Sequence, residues 1–146
     1  MVPLDYGAVF LRLGAAVAAG ALIGLDRERR GKPAGLRTVA LVSLGSAVFV
    51  LSAAGVSGTA SPDATSRVIQ GIITGVGFLG AGSIIRGQAD ESVKGLTTAA
   101  SVWLAAATGV ACGLAQWPLV VAASGFGVLI LVLGPFERWL NRSSAG

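Results

Sequence analysis

Runs of apolar residues, separated by short clusters of charge, Pro or Gly, divide the chain into five segments. Residues 6–25 carry Arg12 as their only charge, and residues 36–54 carry only Arg37. Residues 67–85 are uncharged after Arg67, and residues 96–114 and 117–133 carry no charge at all. A helix needs about 20 predominantly apolar residues to cross a bilayer, and the first four runs reach or nearly reach that length. None alternates apolar and polar residues as a half-buried strand would. The pattern predicts an all-α fold: a polytopic transmembrane helix bundle of about five helices, forming a single domain over residues 1–146.

Composition supports this solvent assignment. Hydrophobic residues make up 53% of the chain and charged residues 12%, whereas soluble domains carry about 25% charge. A chain this short also buries only part of its surface when it folds in water. The single cysteine, Cys112, lies in an apolar run and is read as a packing residue. With one Cys and no His, imidazole- and thiolate-based metal sites are excluded. Mg²⁺ bound by oxygen ligands remains compatible with the composition, but no clear ligand set marks it. No cofactor is expected. Asp5 and the lack of a basic segment before the first run argue against a cleaved signal peptide.

The net charge of +4 does not indicate nucleic acid, because the bases follow a membrane pattern. Five of the eleven Lys and Arg residues fall within residues 27–37. The next connection has Asp63 and no base before Arg67, the third has Arg86 and Lys94, the fourth is uncharged, and the tail has Arg138 and Arg142. Basic residues accumulate in cytoplasmic loops. This alternation predicts loops one and three and the C-terminus in the cytoplasm, with the N-terminus outside. Tyr6, Trp117 and Trp139 fall at predicted interfaces, where amphipathic rings are favoured.

The third run contains Gly71-Ile-Ile-Thr-Gly75-Val-Gly77-Phe-Leu-Gly80-Ala-Gly82. Two readings stand for it. Gly71 and Gly75 form a GxxxG pair that would let helices approach closely, or the helix opens locally and its freed backbone lines a polar cavity. Gly75, Gly77 and Gly80 also spell G-x-G-x-x-G, but a dinucleotide site needs a preceding strand, and here the motif lies inside an apolar run. In the first loop, Asp26 and Glu28 fall at a helix C-terminus, where the dipole disfavours carboxylates. They therefore need partners, and Arg37 could supply one if the first two helices pack together. Asp26, Glu28, Arg37 and Arg86, with Thr97 and Thr98 at the start of the fourth run, are expected to form a polar cluster at the cytoplasmic edge. Thr97, Thr98 and Ser101 either bond back to carbonyls one turn earlier or line that cavity. Arg12 either snorkels outward or faces the bundle interior. Trp103 is expected to fill a groove left by small residues.

Taken in order, four segments carry a resemblance: Gly20-Ala-Leu-Ile-Gly24-Leu-Asp26-Arg27-Glu28; Ala34-Gly35-Leu36-Arg37-Thr38; the run from Gly75 to Gly82; and Gly95-Leu-Thr-Thr-Ala-Ala-Ser-Val-Trp103. Together, over about residues 7–133, the chain resembles the MgtC/SapB family. The resemblance implies a bacterial inner-membrane protein linked to growth in low magnesium and survival inside host cells. Such proteins look like regulators rather than transporters, and one proposed action is inhibition of the ATP synthase through its membrane sector. The family's motif residues fall on Asp26, Glu28, Arg37, Gly77, Gly80, Gly82, Thr98 and Trp103. Many relatives carry a soluble domain after the last span, and this chain is expected to be a short form without it.

Two functions of different class follow. The first is a non-enzymatic regulator that associates through its helix surfaces with copies of itself or with another membrane complex. The second is a small carrier for an ion or solute such as Mg²⁺. A divalent-cation carrier should place carboxylates within the membrane. The only two near it, Asp26 and Glu28, stand among arginines, which favours the regulator. An enzyme has no support, since no nucleophile–base arrangement is present.

Overall fold

In hydrocarbon an unpaired backbone amide or carbonyl has no water to bond, so an apolar run closes its hydrogen bonds internally as a helix. The computed structural model describes residues 6–56, 62–86 and 93–143, except for the side chains of residues 54–56, 85–86 and 135–143. Its elements are α1 (Tyr6–Arg29), α2 (Leu36–Val56), α3 (Pro62–Gly82), β1 (Ile85–Arg86), β2 (Val93–Lys94), α4 (Leu96–Gly113) and α5 (Trp117–Ser143).

Each apolar run is a helix, but the bounds differ from those expected. α1 and α5 continue into charged sequence, because backbone bonding does not stop where lipid-compatible side chains do. α3 starts at Pro62, whose fixed φ suits a first helical position and whose missing N–H costs nothing there. It ends at Gly82, where the Ser83 backbone N–H and hydroxyl both donate to the Gly80 carbonyl, at 3.0 and 2.7 Å. The chain then enters a two-residue antiparallel pairing, Ile85 opposite Lys94 and Arg86 opposite Val93. No strand is legible in the sequence, since two residues carry no alternation.

Among the described residues, four helices are long and apolar enough to cross a membrane: α1, α2, α4 and α5. α3 has the length, at 21 residues, but its Gly, Ser, Thr and Gln residues dilute its hydropathy. It is one unbroken helix, so the locally opened reading of the glycine segment does not hold.

Contacts fix the helix directions. Gly20 and Gly24 of α1 lie against Ala40 and Leu36 of α2, so α1 and α2 are antiparallel. Gly109 and Gly113 of α4 lie against Ser43 and Val50, so α4 runs parallel to α2. Gly95 at the start of α4 touches Ser83 just past the end of α3, and Arg30, directly after α1, reaches Leu131 of α5. The five helices therefore alternate in direction. The starts of α2 and α4 and the ends of α1 and α3 share one end of the bundle, called here the basic end.

The interior is made of small side chains. Ala16, Ala47, Ala105 and Cys112 are fully buried, while Phe10, Leu41, Phe49, Phe78 and Phe126 face outward. Lipid tails are as apolar as Leu, so large side chains gain nothing by hiding from them, and close backbone approach becomes the source of packing energy. α4 contacts the other four helices and is the bundle's axis. It starts from Gly95, whose φ of 97° is left-handed and whose missing Cβ leaves room for the Ser83 carbonyl.

Candidate functional site

The alternating directions bring the first-loop charges, the start of α2 and the start of α4 to the basic end. There α1 delivers Asp26 and Arg27 in its last turn, and Arg30 follows directly after its end. Both Asp26 oxygens are engaged: Oδ2 accepts from Arg27 Nη2 at 2.5 Å, and Oδ1 accepts from Arg30 Nε at 2.7 Å. Arg30 also donates to the Leu131 carbonyl at 3.2 Å, which ties α1 to α5. Arg27 continues the buried face of Ala16, Ala19, Gly20, Ile23 and Gly24. It is 4% exposed and its Nε has no partner. A charge so buried needs a countercharge, and Asp26 is the one it has.

Glu28 does different work. Its Oε2 accepts the Leu36 amide at 3.0 Å, which satisfies one of the free N–H groups at the start of α2. Gly35 permits this, because a Cβ there would collide with the same carboxylate oxygen. The expected pairing of Asp26 or Glu28 with Arg37 is therefore absent. Arg37, in the first turn of α2, is exposed. Both carboxylates find closer donors, at the end of α1 and just past it for Asp26 and in the α2 backbone for Glu28.

Thr98 is buried at 1% exposure. Thr97 is exposed and accepts the Ser101 hydroxyl through its carbonyl at 2.7 Å, the back-bonding expected of such residues. The Arg86 side chain lies outside the described residues, as do those of Arg138, Trp139 and Arg142. Among the described residues, oxygen donors for Mg²⁺ do not assemble. Asp26 is taken by two guanidinium groups, and no group of three or more His, Cys, Asp or Glu side chains forms a metal-sized cluster among the described residues.

The glycines divide into two sets. A Cβ on Gly20 would lie 2.8 Å from Ala40 Cα, and one on Gly24 2.7 Å from Leu36 Cα, so both are places where only glycine lets α1 and α2 meet. In α3, by contrast, Gly71, Gly75, Gly77 and Gly82 have nothing within 4 Å of such a Cβ, and Gly80 meets only Ala99, at 3.6 Å. The α3 GxxxG pair is not used inside the chain. Instead Gly71 and Gly75 line an open apolar groove of about 800 Å³ between α2 and α3. Trp103 does not fill an internal groove. It is 52% exposed and borders a shallow depression of about 140 Å³ between α3 and α4.

Sequence reasoning left Arg12 open and missed a second glycine pair. Arg12 faces inward and donates to the Gly113 carbonyl at 3.0 Å, capping the carbonyl end of α4, where a cation is favoured. Gly109 and Gly113 are themselves a GxxxG pair, and a Cβ on either would enter α2 at Ser43 or Val50. That spacing was the signal available in the sequence.

Residues 13–139 match the model of the MgtC family. Protein SrpB of Synechococcus elongatus is 42% identical over 153 aligned residues, which cover 95% of this chain and 83% of SrpB. Protein MgtC of Salmonella typhimurium is 50% identical over 114 residues, covering 78% of this chain and 47% of that protein. A protein of Escherichia coli K12 named putative magnesium transporter YhiD is 42% identical over 122 residues, covering 80% of this chain and 55% of YhiD. The chain thus spans about half the length of the MgtC and YhiD proteins it matches. No solved structure matches it significantly.

Proposed function

The chain belongs to the MgtC family, and from that premise we propose that it is a multi-pass protein of the bacterial inner membrane acting as a non-enzymatic regulator. In this reading it serves adaptation to magnesium limitation and survival inside host cells, by binding a second membrane complex such as the membrane sector of the ATP synthase. The basic end faces the cytoplasm, in keeping with the bias of Lys and Arg toward that side, and α3 crosses with the other four helices. The bundle needs neither cofactor nor metal for this role.

The observation that carries the reading is the use made of the two carboxylates nearest the membrane. Asp26 is held by Arg27 and Arg30, and Glu28 by the first amide of α2. Both stabilise helix ends, and both oxygens of Asp26 are held by guanidinium groups rather than offered to a passing cation. The outward sides of α3 and α4, with Phe78 82% exposed and Trp103 52% exposed, offer aromatic anchors of the kind that dominate binding energy at interfaces. A second reading, a Mg²⁺ carrier, is favoured by the name borne by the YhiD relative.

Two measurements separate them. A photo-crosslinker at Phe78, in membranes of the native bacterium, should capture a membrane complex, and proteoliposomes of known orientation should show no Mg²⁺ or proton flux. Saturable Mg²⁺ uptake abolished by Asp26→Asn, without a crosslinked partner, would replace the regulator with the carrier.

A further inference from the structure

The groove between α2 and α3 opens to the lipid side and is almost wholly apolar. Leu41, Gly45 and Phe49 form one wall, and Ile72, Gly75 and Leu79 the other. Its volume of about 800 Å³ lies within the range of about 300–1,000 Å³ typical of small-molecule sites. It is open because Gly45, Gly71 and Gly75 place no side chain in it, and a Cβ on any of them would meet nothing within 4 Å. Since α3 is antiparallel to α2, Thr38 and Leu79 mark one mouth and Phe49 and Val68 the other. The Thr38 mouth is the basic end.

Among the described residues, charge at that mouth is unbalanced. Asp26 is paired with Arg27 and Arg30, and Glu28 accepts the first amide of α2. Arg37, next to Thr38, and Arg29 and Lys32 in the same turn are all exposed. None of the three side chains takes part in an ion pair or hydrogen bond among the described residues. An apolar slot ending in unpaired cations has the polarity of an anionic phospholipid: hydrocarbon along its length and phosphate at its rim. A second copy of the chain fits less well. Inserted in the same direction, it would set its own basic end beside this one, and like charges in a shared headgroup layer repel.

We propose that the α2–α3 groove is a binding site for an anionic phospholipid, with acyl chain along Leu41–Gly45–Phe49 and the phosphodiester at Arg37. Each juxtamembrane Lys or Arg contributes roughly a fivefold preference for anionic lipid, so Arg37 alone sets a measurable part of the selectivity. Unlike a bulk annular lipid, a lipid seated here competes with any helix that uses the α3 glycine face.

The test uses the full chain, purified and titrated with phosphatidylglycerol, phosphatidylcholine or inorganic phosphate, with bound lipid counted by native mass spectrometry. Phosphatidylglycerol should bind in preference to phosphatidylcholine, and inorganic phosphate alone should not bind. Arg37→Gln should lower that preference about fivefold. Gly75→Leu, which enters open space and leaves the fold intact, should abolish the bound lipid, and Arg67→Gln at the opposite mouth should change neither. Equal binding of the two lipids, binding of phosphate alone, or lipid retention in Gly75→Leu would overturn the proposal. So would a dimer that forms without lipid and is broken by Gly75→Leu.

Discussion

Gly109→Ala tests whether the bundle is held by backbone approach. The new methyl would fall on the Ser43 carbonyl of α2, closer than any atomic contact allows, with Ser43 C at 2.8 Å and Cα at 2.9 Å. A backbone obstacle cannot rotate aside, so α2 and α4 must separate. Overpacking of this kind costs about 1–3 kcal/mol, and the better helix propensity of Ala returns at most about 1. Because the obstacle is backbone, the upper part of that range applies, and the expected net loss is about 1–2 kcal/mol. For a chain of this size that is a fall in Tm of roughly 2–8 °C, at about 2–4 °C per kcal/mol. Cys112 supplies the assay, because it is fully buried three residues away on the same helix. A maleimide dye that fluoresces on reaction with the thiol reports unfolding of the detergent-solubilised protein. Gly77→Ala is the control, since its methyl would meet nothing within 4 Å and should leave Tm unchanged or raise it. If both variants melt alike, or Gly109→Ala melts at or above the parent, close packing of α2 on α4 is not what holds the bundle.

Three further outcomes are expected in the same thermal assay. Asp26→Asn strips Arg27 of its countercharge. Breaking a buried pair costs about 3–5 kcal/mol, and about 3 is expected because the Asp26 side chain keeps 14% exposure; adding Arg27→Met in the same chain should recover most of it, and no recovery would show that Asp26 acts through another contact. Gly95→Ala forces a side chain into a left-handed φ of 97° against the Ser83 carbonyl, costing at least about 1–2 kcal/mol, and an unchanged melt would mean that the turn before α4 relaxes freely. Ala115→Gly relieves the left-handed φ of 56° at the α4–α5 turn and should add about 1 kcal/mol, so a lower melt would locate the strain elsewhere.

What the sequence determined is the part governed by solvent. Apolar runs of span length with sparse charge fix the helices and their number, because in lipid every backbone group must bond within its own segment. Asp26 and Glu28 were legible as needing partners, since a carboxylate at a helix C-terminus meets an adverse dipole. Which partner each took was not legible. Arg27, Arg30 and the Leu36 amide prevailed over Arg37 because the exit angle of α1 and the path of the turn decide which donors come within 3 Å. The glycines divide the same way. Gly20, Gly24, Gly71, Gly75, Gly109 and Gly113 form three identical GxxxG pairs in the chain, and each permits a close approach without requiring one. Only the tertiary arrangement, with α2 pressed between α1 and α4 and α3 standing off, made two of them contacts and left the third lining an open groove.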